Sequence, residues 1–168
     1  MARGAGTAAR ADGDIARPLL ANETRAARTV FGSAIDYSLV KIHNTKAYFF
    51  QPNGTAITPN GEVYFPKSDY LEDFGIRASN MAWLIHELTH VWQSQQGMWV
   101  RSRGMMNRNY TYGDLSESKL TLTDYGIEQQ AAIVEDYFRT THGLKPRNGS
   151  GSGGDYARII PFLPGRKA

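Results

Sequence analysis

Five consecutive residues, His86-Glu87-Leu88-Thr89-His90, carry the strongest chemistry in the chain. Imidazoles four positions apart on a helix lie one turn apart on one face, so both can ligate a single ion. Glu87 stands beside them, placed to accept a proton from a water held by that ion. This is the general-base arrangement of metal-assisted amide hydrolysis. Catalytic zinc of this kind takes three protein ligands and keeps a fourth position open. The chain has no cysteine, so the third ligand must be a histidine or a carboxylate. His43 falls among strand-like runs, and His142 falls at a helix end, where a cation suits the dipole. Glu128, in Glu128-Gln129-Gln130-Ala131, is the favoured ligand, because the small Ala131 one turn on lets its helix approach the first closely. Glu135, two turns further along the same face, and Asp136 beside it are the alternative ligands, or carboxylates that orient a histidine from behind. One Zn2+ per chain is the expected cofactor, with Glu87 as the catalytic base.

Hydrolysis also needs a donor for the developing oxyanion. Tyr110, Tyr112 and Tyr125, in or just after a long loop, are the candidates. An extended substrate can add as a strand to a sheet edge beside the active-site helix, and the segment 55–65 reads as a hairpin that offers such an edge.

These residues need elements to hold them. Met81, Leu84, Ile85, Leu88, Val91 and Trp92 recur at helical spacing, predicting a helix from Ser79 or Asn80 to Gln96 with Gly97 as its cap. A second helix, capped by Asp124 and stopped near Gly143, buries Ile127, Ala131, Ala132, Val134, Tyr137 and Phe138. An earlier, shorter helix runs from an Asn22 cap to Phe31, with Gly32 as its stop. Strand-like runs lie at 40–43, 47–50, 55–58 and 62–65, and two Pro-Asn-Gly turns, at 52–54 and 59–61, punctuate them. Residues 98–123 read as a long irregular loop. The expected organisation is a disordered tail over 1–20, a domain over 21–145, a flexible Gly/Ser linker over 146–156, and a tail over 157–168 whose apolar Ile159–Pro164 docks on the domain.

A length of 168 residues with 41% apolar content suits one domain with a modest core. The net charge is +3, but its basic excess is scattered through the termini instead of interleaved with aromatics, which argues against nucleic-acid binding. No apolar run is long enough for a transmembrane helix, and Met1–Leu20 lacks the core of a signal peptide, so membrane and classical secretory roles are not expected. Export by a dedicated machine stays open.

Thr55-Ala56-Ile57-Thr58, Gly61-Glu62-Val63-Tyr64-Phe65-Pro66 and Leu84–Gln93 resemble, in that order and spacing, a family of zinc metallopeptidase domains. Those domains occur with bacterial extracellular contractile injection systems and polymorphic toxins. The run from about Val30 to Tyr137, including Phe31-Gly32, Ile35-Asp36-Tyr37 and Glu128-Gln129-Gln130-Ala131, more nearly resembles small bacterial Vgr-related proteins, which points to type VI secretion. The resemblance implies a zincin-like fold with His86, Glu87 and His90 as site residues, and it places the glutamate ligand of glutamate-zincins on Glu128. Together the readings predict an α+β, minigluzincin-like domain, with a small, mostly antiparallel sheet packed on two long helices and zinc between them. The expected function is hydrolysis of a peptide or of peptidoglycan crosslinks, in a protein held in the bacterial cytoplasm before signal-less export to a target cell or periplasm. A secretion spike or an immunity protein is the expected partner. The alternative is a zinc-stabilised, non-catalytic module that rides on a spike.

Overall fold

The computed structural model describes residues 13–98 and 108–166. Its elements are β1 (Ala16–Arg17), α1 (Ala21–Phe31), β2 (Ile42–His43), β3 (Val63–Tyr64), α2 (Ala78–Gln95), β4 (Gly113–Asp114), α3 (Ile127–Thr141), β5 (Gly149–Ser150) and α4 (Gly153–Ile159). Among the described residues the result is a mixed α+β fold with two very small sheets and four α-helices.

α2 is the axis of the molecule. Met81, Leu84, Ile85, Leu88 and Val91 are buried, as their spacing predicts, but so are His86, Glu87, Thr89, His90 and Gln93. A helix buried on nearly every face must give each polar side chain a partner, because an unmet hydrogen bond in the interior costs about 1–3 kcal/mol. α3 packs along α2, with Ala131, Ala132, Ile133, Val134 and Phe138 in the shared core. Its N-cap is Gly126, not Asp124. Asp124 closes the preceding 3-10 turn by accepting from the Thr121 backbone N–H at 2.7 Å.

The sheet is less antiparallel than the strand pattern suggests. β1 pairs antiparallel with β2, but β2 and β3 run parallel, with Ile42 opposite Val63, and β4 and β5 are also parallel. The chain between β2 and β3 is long enough to cross over and re-enter in the same direction. The expected hairpin over 55–65 shrinks to one antiparallel bridge, Ile57 to Tyr64. Its Pro59-Asn60-Gly61 turn does use positive φ at Asn60 (55°) and Gly61 (80°). Residues 47–50 form no strand. Gln51 folds them into a turn by accepting from the Ala47 N–H and donating to the Thr55 and Tyr64 carbonyls.

Three boundaries move. Asn22 lies inside the first turn of α1, where its amide donates to Asp73. Leu20 takes the cap position without a polar side chain, and Glu23 caps the helix alone by accepting from the Leu20 N–H at 2.8 Å. The buried Glu23 also takes a two-pronged bond from Arg17, so the chain before α1 is tied down by β1 and this ion pair from residue 13 onward. The rest of the expected N-terminal tail, 1–12, lies outside the described residues.

The segment 146–156 is not a loose linker. It contains β5 and the start of α4, which Ser152 caps by accepting from the Asp155 N–H. Gly149 is there because Tyr112 and the Gly113 carbonyl press against its Cα, leaving no room for a Cβ. The chain beyond it docks through Tyr156, Ile159 and Ile160, all buried, and through Phe162, which lies against Phe31 and Trp92 with ring centres 5.1 and 4.7 Å away.

Candidate metal centre

Two helices bring three ligand-type atoms together. His86 and His90 project from one side of α2, and Glu128 reaches them from the first turn of α3. Glu128 Oε2 is 3.2 Å from His86 Nε2 and 3.2 Å from His90 Nε2, and all three donor atoms lie within 4.8 Å of one another. A tetrahedral zinc with bonds of about 2.0–2.1 Å keeps its ligands about 3.4 Å apart, so the spacing suits such an ion. The donor set, two imidazoles and a carboxylate, suits it chemically.

Each histidine is held from behind in the tautomer that ligation requires. His86 Nδ1 lies 3.1 Å from Glu135 Oε2, an acceptor, so Nδ1 carries a proton. His90 Nδ1 lies 2.7 Å from Gln93 Oε1. The orientation of that amide follows from two backbone carbonyls. Gln130 Nε2 donates to Tyr125 O at 2.8 Å, which turns Gln130 Oε1 toward Gln93. Gln93 Nε2 then donates to Gln130 Oε1 and Ile127 O, both at 3.0 Å. Carbonyls only accept, so Gln93 Oε1 is left to accept from His90 Nδ1–H, and Nε2 is the ring nitrogen turned toward Glu128, free to exchange its proton for a metal.

The metal-free electrostatics follow from the same contacts. Burial by itself would lower the His86 pKa, but the hydrogen bonds that its ring donates to Glu128 and Glu135 outweigh it and raise the group to about 10. His90 is raised too, with burial opposing and the Glu128 hydrogen bond prevailing. Glu128 is held far below the ordinary carboxylate range: burial pushes it up, but its bonds to both histidines dominate. The cluster thus holds protons where a divalent cation would replace them.

Glu87 is only 3% exposed, and desolvation raises its pKa against the opposing pull of His86, His90 and Thr58. Thr58 Oγ1 donates to Glu87 Oε2 at 2.6 Å, fixing that oxygen. His86, Glu87, Tyr110 and Glu135 line an open cleft of about 640 Å³, whose other walls include Thr55, Ala56, Trp83, Arg139 and Arg147. The Tyr110 ring centre is 5.7 Å from that of His86. Desolvation, with nearby Glu128, pushes the Tyr110 phenol up to about 12, so it remains a donor at neutral pH.

No family model matches the chain. In an alignment of 135 positions that covers 76% of this chain, it is 37% identical to the type VI secretion system spike protein VgrG2b of Pseudomonas aeruginosa. The matched stretch is 13% of that relative, so the chain spans a small part of it. The solved effector domain of Pseudomonas aeruginosa VgrG2b superposes with a TM-score of 0.67, covering 93% of this chain and 87% of that domain at 28% identity. The chain is homologous to the VgrG2b effector domain. The similarity to the VgrG2b domain covers nearly the whole chain, including segments outside 21–145 that the sequence pattern assigned to tails and linker.

Several candidate residues lie elsewhere in this VgrG2b-like fold. Tyr112 turns its hydroxyl to Asp136 (2.9 Å) and Tyr156 (2.7 Å), and the Tyr125 hydroxyl meets Ser118 at 2.6 Å. Of the three tyrosines only Tyr110 lines the cleft. Asp136 is a structural anchor that accepts from the Arg147 and Asn148 backbone N–H groups at 2.7 and 2.8 Å. His43 pairs with Glu62 and stacks on Tyr64, and His142 bonds back to Phe138 O. Sequence reasoning missed Thr58, Gln93 and Gln130. Gln93 carries a signal, since it follows His90 at the i,i+3 spacing that lets helix side chains meet. Thr58 carries none, because only the tertiary fold brings it to Glu87.

Proposed function

We propose that this chain is a zinc-dependent peptidase domain of the minigluzincin type, delivered as a type VI secretion effector. The observation that carries the reading is the convergence of His86, His90 and Glu128 beside Glu87 at an open cleft. Zinc bound there would supply Lewis acidity toward the scissile carbonyl and the attacking water. His86 and His90 would hold it through Nε2 and Glu128 through its carboxylate. Glu87, desolvated and oriented by Thr58, takes the proton of the attacking water and returns it to the leaving amine; burial raises its pKa, which favours holding that proton between the two steps. Tyr110 donates to the developing oxyanion. Thr55 and Ala56, on the cleft wall, offer backbone to an extended substrate by strand addition. The open cleft favours an enzyme over a purely zinc-stabilised accessory module.

Homology to a spike effector domain supports delivery with a secretion spike into a target cell or its periplasm, with an immunity protein as the protective partner. No helix among the described residues is long and apolar enough to cross a membrane. The domain we propose begins by residue 13 and includes the C-terminal segment to 166. The test has two arms. Native mass spectrometry should find one zinc per chain, lost in the His86→Ala/His90→Ala double variant. Zinc-loaded protein should cleave members of a proteome-derived peptide library, and Glu87→Gln should retain zinc yet lose turnover by about 10²–10⁴-fold. A protein that stays metal-free, or library cleavage equal in wild type and Glu87→Gln, overturns the proposal.

A further inference from the structure

The cleft beside His86 and Glu87 has charged walls of both signs, and the two signs differ in how completely they are engaged. Its carboxylates are committed within the protein. Glu135 holds His86, Glu87 accepts from Thr58, and Asp69 accepts from the Gly54 N–H at 2.7 Å. Two of its three arginines, Arg139 and Arg147, are not. Arg139, in the last turn of α3, donates through Nε to Lys145 O at 2.8 Å. Its closest carboxylate among the described residues is Asp136, at 3.9 Å, whose oxygens already accept from Arg147 N, Asn148 N and Tyr112. Arg147 sits 4.0 Å from Glu135 Oε1, beyond hydrogen-bonding distance. Among the described residues, neither guanidinium fork is closed by a carboxylate at hydrogen-bonding distance.

Backbone contacts hold the bases of these side chains. Arg139 is on a helix that packs against α2, and the Arg147 N–H is fixed by Asp136. Arg139 is also largely sheltered, its side chain 15% exposed, and a sheltered cation gains most from an anionic partner. A guanidinium presents parallel N–H groups that match a carboxylate. The fold thus places one sheltered and one exposed cation, Arg139 and Arg147, each with unfilled donors, in the same cleft as the candidate catalytic residues.

We propose that Arg139 and Arg147 form a carboxylate subsite, so that the substrate is an acidic peptide segment with a carboxylate near the bond to be cut. The proposal rests on the peptidase reading and deepens it. A glutamate in a protein and the free carboxylates of a peptidoglycan stem peptide share this chemistry.

Binding to the zinc-loaded Glu87→Gln protein tests the subsite without turnover. The probes are fluorescent pentapeptides with a central glutamate or glutamine, and stem peptides with free or amidated carboxylates. The acidic form of at least one pair should bind about tenfold tighter, as charge-assisted hydrogen bonds require. The pair with the larger preference identifies the source. Arg139→Gln/Arg147→Gln, made in the same background, should bring acidic and neutral probes within about twofold. Arg147→Gln alone removes an exposed side chain without touching the Arg139–Lys145 contact, so it reports even if the double variant is unstable, and it should lose about half of the preference on a logarithmic scale. Equal binding of acidic and neutral probes in both pairs, or a preference that survives Arg147→Gln undiminished, overturns the subsite. Absence of cleavage by the wild-type protein would overturn the peptidase reading and leave the binding comparison to stand or fall separately.

Discussion

Replacing Gln93 by leucine separates metal affinity from metal ligation. Leucine is close in volume and keeps the helix, but it cannot accept from His90 Nδ1, now bonded at 2.7 Å. It also strips the donor from Ile127 O and Gln130 Oε1, each 3.0 Å from Gln93 Nε2. His90 is 4% exposed, so its Nδ1–H finds no water without distortion. Loss of such a supporting contact weakens zinc by about 10–100-fold, or roughly 1.4–2.7 kcal/mol. Orphaned acceptors in the same network lower metal-free stability by about 1–3 kcal/mol each if buried. Gln93→Glu divides the two effects. Its carboxylate still accepts from His90, so zinc affinity should stay within about threefold of wild type, while stability falls because it donates nothing to Ile127 or Gln130. Competition with a chromophoric chelator gives the affinity, and urea unfolding of the metal-free protein gives the stability. A Gln93→Leu protein that binds zinc within twofold of wild type would refute the claim that this chain of amides sets the His90 tautomer.

Zinc affinity should rise with pH. The raised His86 pKa contributes metal-free stability that is complete below about 6.5 and is lost as pH rises through about 10. Zinc competes with that proton, so affinity should climb about tenfold per pH unit from this group alone and level off near pH 10; a flat profile in chelator competition between pH 6 and 8 contradicts this. Thr58→Val should leave zinc affinity unchanged and lower kcat on any cleaved library peptide by about tenfold, because Glu87 loses its orienting bond; loss of zinc instead would make Thr58 part of the metal scaffold. Gly149→Ala should destabilise the fold by about 1–3 kcal/mol, since its Cβ would overlap Tyr112 and the Gly113 carbonyl, and a melting temperature equal to wild type would count against that packing. Truncation after Lys145 should yield a protein without a cooperative melt. It removes buried Tyr156, Ile159 and Ile160, side chains that contribute about 1.5–3 kcal/mol each against a total stability of about 5–15 kcal/mol.

The amino-acid order alone determines whatever depends on neighbours within a few turns of one helix. The four-residue step sets His86 and His90 on one face, the apolar spacing around them makes α2, and Gly97 and Gly143 follow the helices with φ of 75° and 74°. The absence of cysteine confines any metal to imidazole and carboxylate. Periodicity also narrows the third ligand to one face of α3. There it stops, because Glu128 and Glu135 share that face, and only the packing of α3 on α2 sets Glu128 against Nε2 and Glu135 against Nδ1. The same limit explains the misplaced residues. Tyr112 and Asp136 look like site residues by type, yet the Tyr112 hydroxyl meets Asp136 and Tyr156, 24 and 44 residues along the chain. The Gly/Ser-rich stretch looks flexible by composition, yet Gly149 is small because Tyr112 lies against it. Thr58 reaches Glu87 from a turn 29 residues earlier. Contacts of this range close only when the core forms, because burial leaves each polar group with whichever partner the packing brings and no water to substitute for it.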